Sequence, residues 1–109
     1  MGGYAKRPIS SLAIWELAEM YGAEPGRDGR CWCAYCGALG EIWWARTRRD
    51  DRPVARPIFS LEIDHVVPEK LGGQPTTDNL VAACRSCNRT KSTKSWDVRF
   101  PPGVVAWHA

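Results

Sequence analysis

Four side chains that together can cut a phosphodiester lie in the second half of the chain: the acid–imidazole pair Asp64-His65, then the amides Asn79 and Asn88. Two Cys-x-x-Cys pairs, Cys33/Cys36 and Cys84/Cys87, enclose most of this set. In-line cleavage needs a base that takes a proton from water and a cation that neutralises charge on the phosphate and the leaving oxygen. Imidazole suits the first task because it titrates at about pH 6.5. The carboxylate of Asp64 and the amide oxygen of Asn88 suit the second, since Mg²⁺ prefers oxygen ligands and commonly keeps several waters.

The cysteines belong to a different metal chemistry. Zinc in a closed structural site takes four soft ligands in a tetrahedron, and two Cys-x-x-Cys corners supply them with little backbone strain. Residues 37–83 lie between the two corners, far more than a compact finger holds. The clamp would therefore close the ends of an inserted β-unit, in the manner of a treble clef. Cys31 is left over and reads as a free or partly buried thiol.

The elements that position these residues can be read from pattern. At 109 residues the chain is one small domain, which buries only a modest share of its surface and gains from a metal clamp. Residues 1–30 read as a loose arm and an amphipathic helix, 31–96 as a zinc-stabilised core, and 97–109 as a tail. The helix is expected over Ser10–Tyr21, where Leu12, Trp15, Leu17 and Ala18 follow helical spacing, capped by Ser10 or Ser11 and stopped by Gly22. Glu41–Ala45 reads as a short strand, Arg46–Arg56 as an exposed loop, and Ile58–Val67 as the best strand. Leu71–Asp78 is rich in turn formers, Asn79–Ala83 reads as a returning strand, and Cys84–Ser95 as a basic helix. A short helical turn capped by Thr76 or Thr77 is the alternative to that strand. On a regular strand Asp64 and His65 would face opposite ways, so the strand is expected to end or bulge there.

Asp64-His65-Val66-Val67-Pro68, Gly72-Gly73, Asn79-Leu80, Cys84-Arg85-Ser86-Cys87-Asn88 and Lys91 together resemble the HNH endonuclease family, over roughly Cys33 to Lys94. The resemblance implies an α+β fold with a ββα-metal, treble-clef-like core of the His-Me finger type, a structural zinc and an N-terminal helix. It implies a metal-dependent DNA endonuclease in which His65 is the general base, Asp64 a metal ligand and Asn79 the residue that orients the base and its loop. Products would carry a 5′-phosphate and a 3′-hydroxyl. The third family position, often His, is Asn88 here, an H-N-N arrangement similar to the HNH domains of RNA-guided nucleases. An amide in place of imidazole hardens the ligand set, which favours Mg²⁺ or Mn²⁺ over Zn²⁺ or Ni²⁺.

Lys and Arg number 15 against 12 Asp and Glu, a formal net charge of +3, compatible with nucleic acid. Arg85, Arg89, Lys91 and Lys94 form a basic run with no acid between Cys84 and Ser95, and Arg46, Arg48 and Arg49 begin an arginine-rich stretch diluted by Asp50 and Asp51. Both are candidate contacts to DNA backbone phosphates, salt-sensitive and weakly selective for sequence. Most of the six tryptophans are expected in the core, with Trp107 available to pack on a partner. A single active site nicks, so a double-strand break would need a homodimer, two visits or a partner protein. No run is apolar enough to span a bilayer, and Met1–Ser10 lacks the order of a secretory signal, so a cytoplasmic protein is expected. The competing reading is a non-catalytic treble-clef module that binds nucleic acid or protein. Such a module has no need of Asp64, His65 and Asn88 together.

Overall fold

The computed structural model describes residues 8–49 and 52–103. Helix α1 (Ser11–Met20) starts where Ser10 caps it, with Oγ accepting the Ala13 N–H at 3.1 Å. It buries Ala13, Leu17 and Ala18 and is followed by Gly22 in the left-handed region at φ 84°. This agrees with the helix expected from the spacing.

Strands β1 (Gly29–Trp32), β2 (Leu39–Arg49) and β3 (Arg52–Phe59) form an antiparallel sheet in that order. Here the expected exposed loop over Arg46–Arg56 is wrong, because most of it is paired strand: Arg46 lies opposite Ala55 and Arg49 opposite Arg52. Prolines and aspartates suggested a loop, yet β3 is an edge strand, where proline is tolerated if its nitrogen faces away from the ladder. Pro53 and Pro57 lie opposite Arg48 and Trp44, and both stand an odd number of residues from Ser60, whose N–H bonds to the Glu41 carbonyl. They thus occupy non-hydrogen-bonded pairs. Asp50 and Asp51 lie outside the described residues, as do the arm to Arg7, Trp107 and the end of the tail.

The single strand expected over Ile58–Val67 is also corrected. The chain bends at Ser60-Leu61 and resumes as β4 (Glu62–His65), which pairs with β5 (Leu80–Ala83) in a separate two-stranded sheet. Gly40 permits the bend: a Cβ there would stand 2.6 Å from Leu61 Cγ and 2.7 Å from Ser60 Oγ. Ser60 Oγ accepts the Glu41 N–H at 2.8 Å and fixes the corner.

Between β4 and β5 run two 3-10 turns, Glu69–Leu71 and Thr77–Asn79. The second follows Thr76, which makes no capping bond and instead donates to Asp78, and the expected returning strand comes after it as β5. Helix α2 (Arg85–Lys91) is shorter than expected. It ends at Ser92, a non-glycine residue at φ 51°.

The architecture is therefore α+β, as anticipated. Strand β5 is buried throughout and explains how the parts cohere. Leu80 and Ala82 pack with α1, Trp32 and Ile42, whereas Val81 and Ala83 pack with Cys33, Ala34 and Tyr35 and with the partly buried Trp96. Alternation along one strand thus joins two cores. Tyr21 reinforces the join by accepting the Ala82 N–H at 2.9 Å and donating to the Trp32 carbonyl at 3.3 Å. Trp32 is buried and Trp15 and Trp44 stack edge to face, but Trp43 is 39% exposed. No helix among the described residues is long and apolar enough to cross a membrane.

Candidate active site and metal centre

The four cysteines Cys33, Cys36, Cys84 and Cys87 come together. Their sulfurs lie within 4.8 Å of one another, and those of Cys36 and Cys84 are 3.7 Å apart. Zinc bonded to sulfur at about 2.3 Å in a tetrahedron sets the sulfurs about 3.8 Å apart, so the cluster fits zinc. Local structure builds each corner. After β1 the chain turns tightly, with the Gly37 N–H on the Cys33 carbonyl at 2.9 Å and the Cys33 N–H on the Ala38 carbonyl at 2.8 Å. Gly37 supplies the left-handed conformation, φ 80°, that this turn needs. Cys84 is the N-cap of α2, its sulfur accepting the Cys87 N–H at 3.4 Å.

Burial opposes ionisation of Cys33, but donors on Cys84, Cys36 and Tyr35 outweigh it and bring the thiol down to about 7. Cys31 behaves differently. It is fully buried, bonded to the Glu41 carbonyl at 3.6 Å and absent from the cluster. Burial pushes its thiol up to about 11, which agrees with its reading as a buried free thiol.

Asp64, His65 and Asn88 line one cleft of about 510 Å³, together with Pro68, Glu69 and Lys70. Asp64 and His65 both line it although they are neighbours on one strand; β4 ends at His65, and no bulge interrupts its register with β5. Asp64 is 8% exposed, and its Oδ2 accepts the Tyr35 hydroxyl at 2.8 Å and the Lys91 ammonium at 3.1 Å. Burial and this bond to Asp64 push the Tyr35 phenol far up, so it remains a donor. Nε2 of His65 is buried with no hydrogen-bond partner among the described residues and stands 3.7 Å from Glu69 Oε1. Asn88 Nδ2 donates to Glu62 Oε1 at 2.6 Å. Since an ionised carboxylate only accepts, this fixes the amide with its oxygen turned from Glu62.

Among the described residues the Asn79 side chain makes no hydrogen bond to His65. It clamps the segment just after it: Oδ1 accepts the Val67 N–H at 2.9 Å, and Nδ2 donates to the Val67 and Gln74 carbonyls, each at 3.0 Å. Its backbone carbonyl also takes the Val66 N–H at 2.9 Å. Three bonds from one amide hold the loop over which His65 leaves the strand.

Lys91 requires a correction. Read from sequence as a phosphate contact, it is fully buried, and its ammonium donates to the His65 carbonyl at 2.8 Å as well as to Asp64. An ammonium so placed cannot present itself to a duplex; it spans α2 and β4 instead. Arg85, Arg89 and Lys94 are exposed, as is Arg46 on β2, whereas the side chains of Arg48 and Arg49 lie outside those described. Tyr35, Glu62, Glu69 and Lys70 were not singled out from sequence. Glu62 carried a usable signal, since a residue two before Asp64 shares its strand face; Tyr35, inside the Cys33/Cys36 knuckle, carried none.

A strand end bearing an acid and an imidazole and a helix bearing an amide thus line one cleft, and a zinc-compatible cluster of four cysteines stands at the start of that helix, in an α+β domain. The chain belongs to the HNH endonuclease family, whose model matches residues 33–94, more than half of the chain. Comparison with curated proteins and with solved structures gave no match.

Proposed function

We propose that the protein is a metal-dependent DNA endonuclease with a ββα-metal core made of β4, β5 and α2. The observation that carries this reading is the convergence of Asp64, His65 and Asn88 on one cleft. Asp64 through Oδ1 and Asn88 through its amide oxygen would hold Mg²⁺ or Mn²⁺, and their oxygen donor set fits such an ion. When bound, the ion neutralises charge on the scissile phosphate and the leaving oxygen.

The remaining work falls to the chain. His65 takes the proton from the attacking water. With Nε2 toward Glu69, Nδ1 is the nitrogen that receives it, and the resulting imidazolium faces a carboxylate 3.7 Å away. Asn79 holds the loop that fixes the imidazole's exit from the strand. Lys70 on the cleft wall and the exposed Arg85, Arg89 and Lys94 engage backbone phosphates. Arg46 extends that contact along β2.

The test is a plasmid-nicking assay of the intact protein in Mg²⁺, with EDTA and with His65→Ala. The reading expects metal-dependent nicking that falls by at least about a hundredfold in the variant, the scale of a lost general base. Metal-dependent cleavage that survives loss of His65 would overturn the mechanism, and no cleavage by the intact protein would favour a binding module.

A further inference from the structure

We propose that Tyr35 is a positioning residue for the hydrolytic metal site, linking the four-cysteine cluster to the carboxylate of Asp64. The inference rests on the reading of Asp64 as a metal ligand and adds to it a residue that touches neither metal nor substrate. Tyr35 lies between Cys33 and Cys36, so its backbone is set by the knuckle, and its N–H donates to the Cys33 sulfur at 3.4 Å. Its ring is held edge-on by Trp96, centroids 5.4 Å apart at 89°. From that fixed base the hydroxyl reaches Asp64 Oδ2 at 2.8 Å, where Lys91, one turn beyond Cys87 on α2, also donates.

Two donors on one oxygen have a directional consequence. A carboxylate is free to rotate about its terminal torsion, which is broad. With Oδ2 held by a phenol and an ammonium, both buried, that rotation is lost and Oδ1 is the oxygen left to a cation. Both donors come from segments fixed by the cysteine cluster. Zinc at that cluster therefore orders not only the scaffold but the angle at which Asp64 meets its metal. Neither donor competes for the ion, because a hydroxyl whose hydrogen is committed to Asp64 and an ammonium offer it no oxygen anion. A ligand oriented before the ion arrives binds at lower entropic cost.

Tyr35→Phe removes only the hydroxyl and keeps the ring against Trp96. In the absence of DNA, Mn²⁺ binding followed by electron paramagnetic resonance is expected to weaken about tenfold, the weight of one hydrogen bond to a charged group. In the nicking assay the Mg²⁺ midpoint should rise by the same factor while the rate at saturating Mg²⁺ stays within about threefold. Zinc content should remain that of the parent protein.

Val98→Ala trims the same small core while leaving Trp96, the Tyr35 ring and its hydroxyl in place, and serves as the control; its Mn²⁺ affinity should stay at the parent value. Unchanged Mn²⁺ affinity in Tyr35→Phe, or an equal loss in Val98→Ala, would overturn the proposal and leave Tyr35 a packing residue. If Tyr35→Phe weakens Mn²⁺ binding but neither protein nicks DNA, the positioning role stands and the nuclease reading fails.

Discussion

At the scale of the residue, the site depends on how few polar atoms are left uncommitted. Glu62 takes the amide N–H of Asn88, and Tyr35 with Lys91 takes one oxygen of Asp64, so each proposed ligand offers one remaining oxygen. Asn88→His should therefore change metal preference more than activity as such. Imidazole is a softer donor, so nicking in Ni²⁺ or Zn²⁺ should gain on nicking in Mg²⁺ by at least about tenfold, read from parallel metal titrations. An unchanged order of metals would remove Asn88 from the ligand set.

Lys91 tests the buried side of the same geometry. Lys91→Met leaves Asp64 buried with its charge unpaired and the His65 carbonyl without its donor, at a cost of about 3–5 kcal/mol. Chemical denaturation should show the loss, and adding Asp64→Asn should restore part of it. A Lys91→Met midpoint equal to that of the parent protein would mean the pair contributes nothing. The acid, base and amides were legible in the sequence because each is a chemically distinctive type in a spaced pattern. The burial of Lys91 was not legible, because a lysine on a basic helix looks the same whether it turns to solvent or into the fold.

At the scale of the element, the loop between β4 and β5 transmits order to His65. Gly73 lies so close to the returning chain that a Cβ would meet the Val67 carbonyl oxygen at 1.7 Å and Asn79 Nδ2 at 2.8 Å. Backbone cannot yield as a flexible side-chain tip does, so Gly73→Ala must push Val67 away and break the bonds that Asn79 makes to it. Nicking should fall by about a hundredfold or more, comparable to a misplaced catalytic group, while zinc content and far-ultraviolet circular dichroism stay near those of the parent. Full activity in Gly73→Ala would show that the loop's bond set does not govern the base. The glycine pair was visible in the sequence as a turn signal, but its steric role was not, since the atom it avoids belongs to Val67, on the far side of the turn. The β2–β3 hairpin was misread for a related reason. Proline is a local sign of irregularity, and only the edge position and pairing phase of Pro53 and Pro57, both tertiary facts, make it compatible with a strand.

At the scale of the whole molecule, the four-cysteine cluster is placed to add a second tie between parts that β5 already joins. The first corner follows β1 and the second opens α2, so the four-cysteine cluster is the point where the first sheet's connection meets the β4–β5–α2 unit. The core around Tyr35, Val81 and Ala83 is small and lies directly against that cluster. Metal affinity in such a domain is in large part folding free energy, because the unfolded chain holds no preformed site. Stripping zinc with a strong chelator should thus lower the thermal midpoint by roughly 10–20 °C, the shift that several kcal/mol produce in a domain of this size. The loss should be selective in structure. Amide hydrogen exchange should rise first in α2 and in the knuckle, while α1 with Leu17 and Ala18, packed on Trp32 and Ile42, keeps its protection longer. Nicking should vanish in step with zinc and should not return on adding Mg²⁺ alone, because Asp64 and Asn88 are carried by the two elements the clamp aligns. Restoring zinc should restore both. A stripped protein that keeps its thermal midpoint and still nicks in Mg²⁺ would show that the four cysteines come together without holding the fold, and that the hydrolytic cleft stands without them.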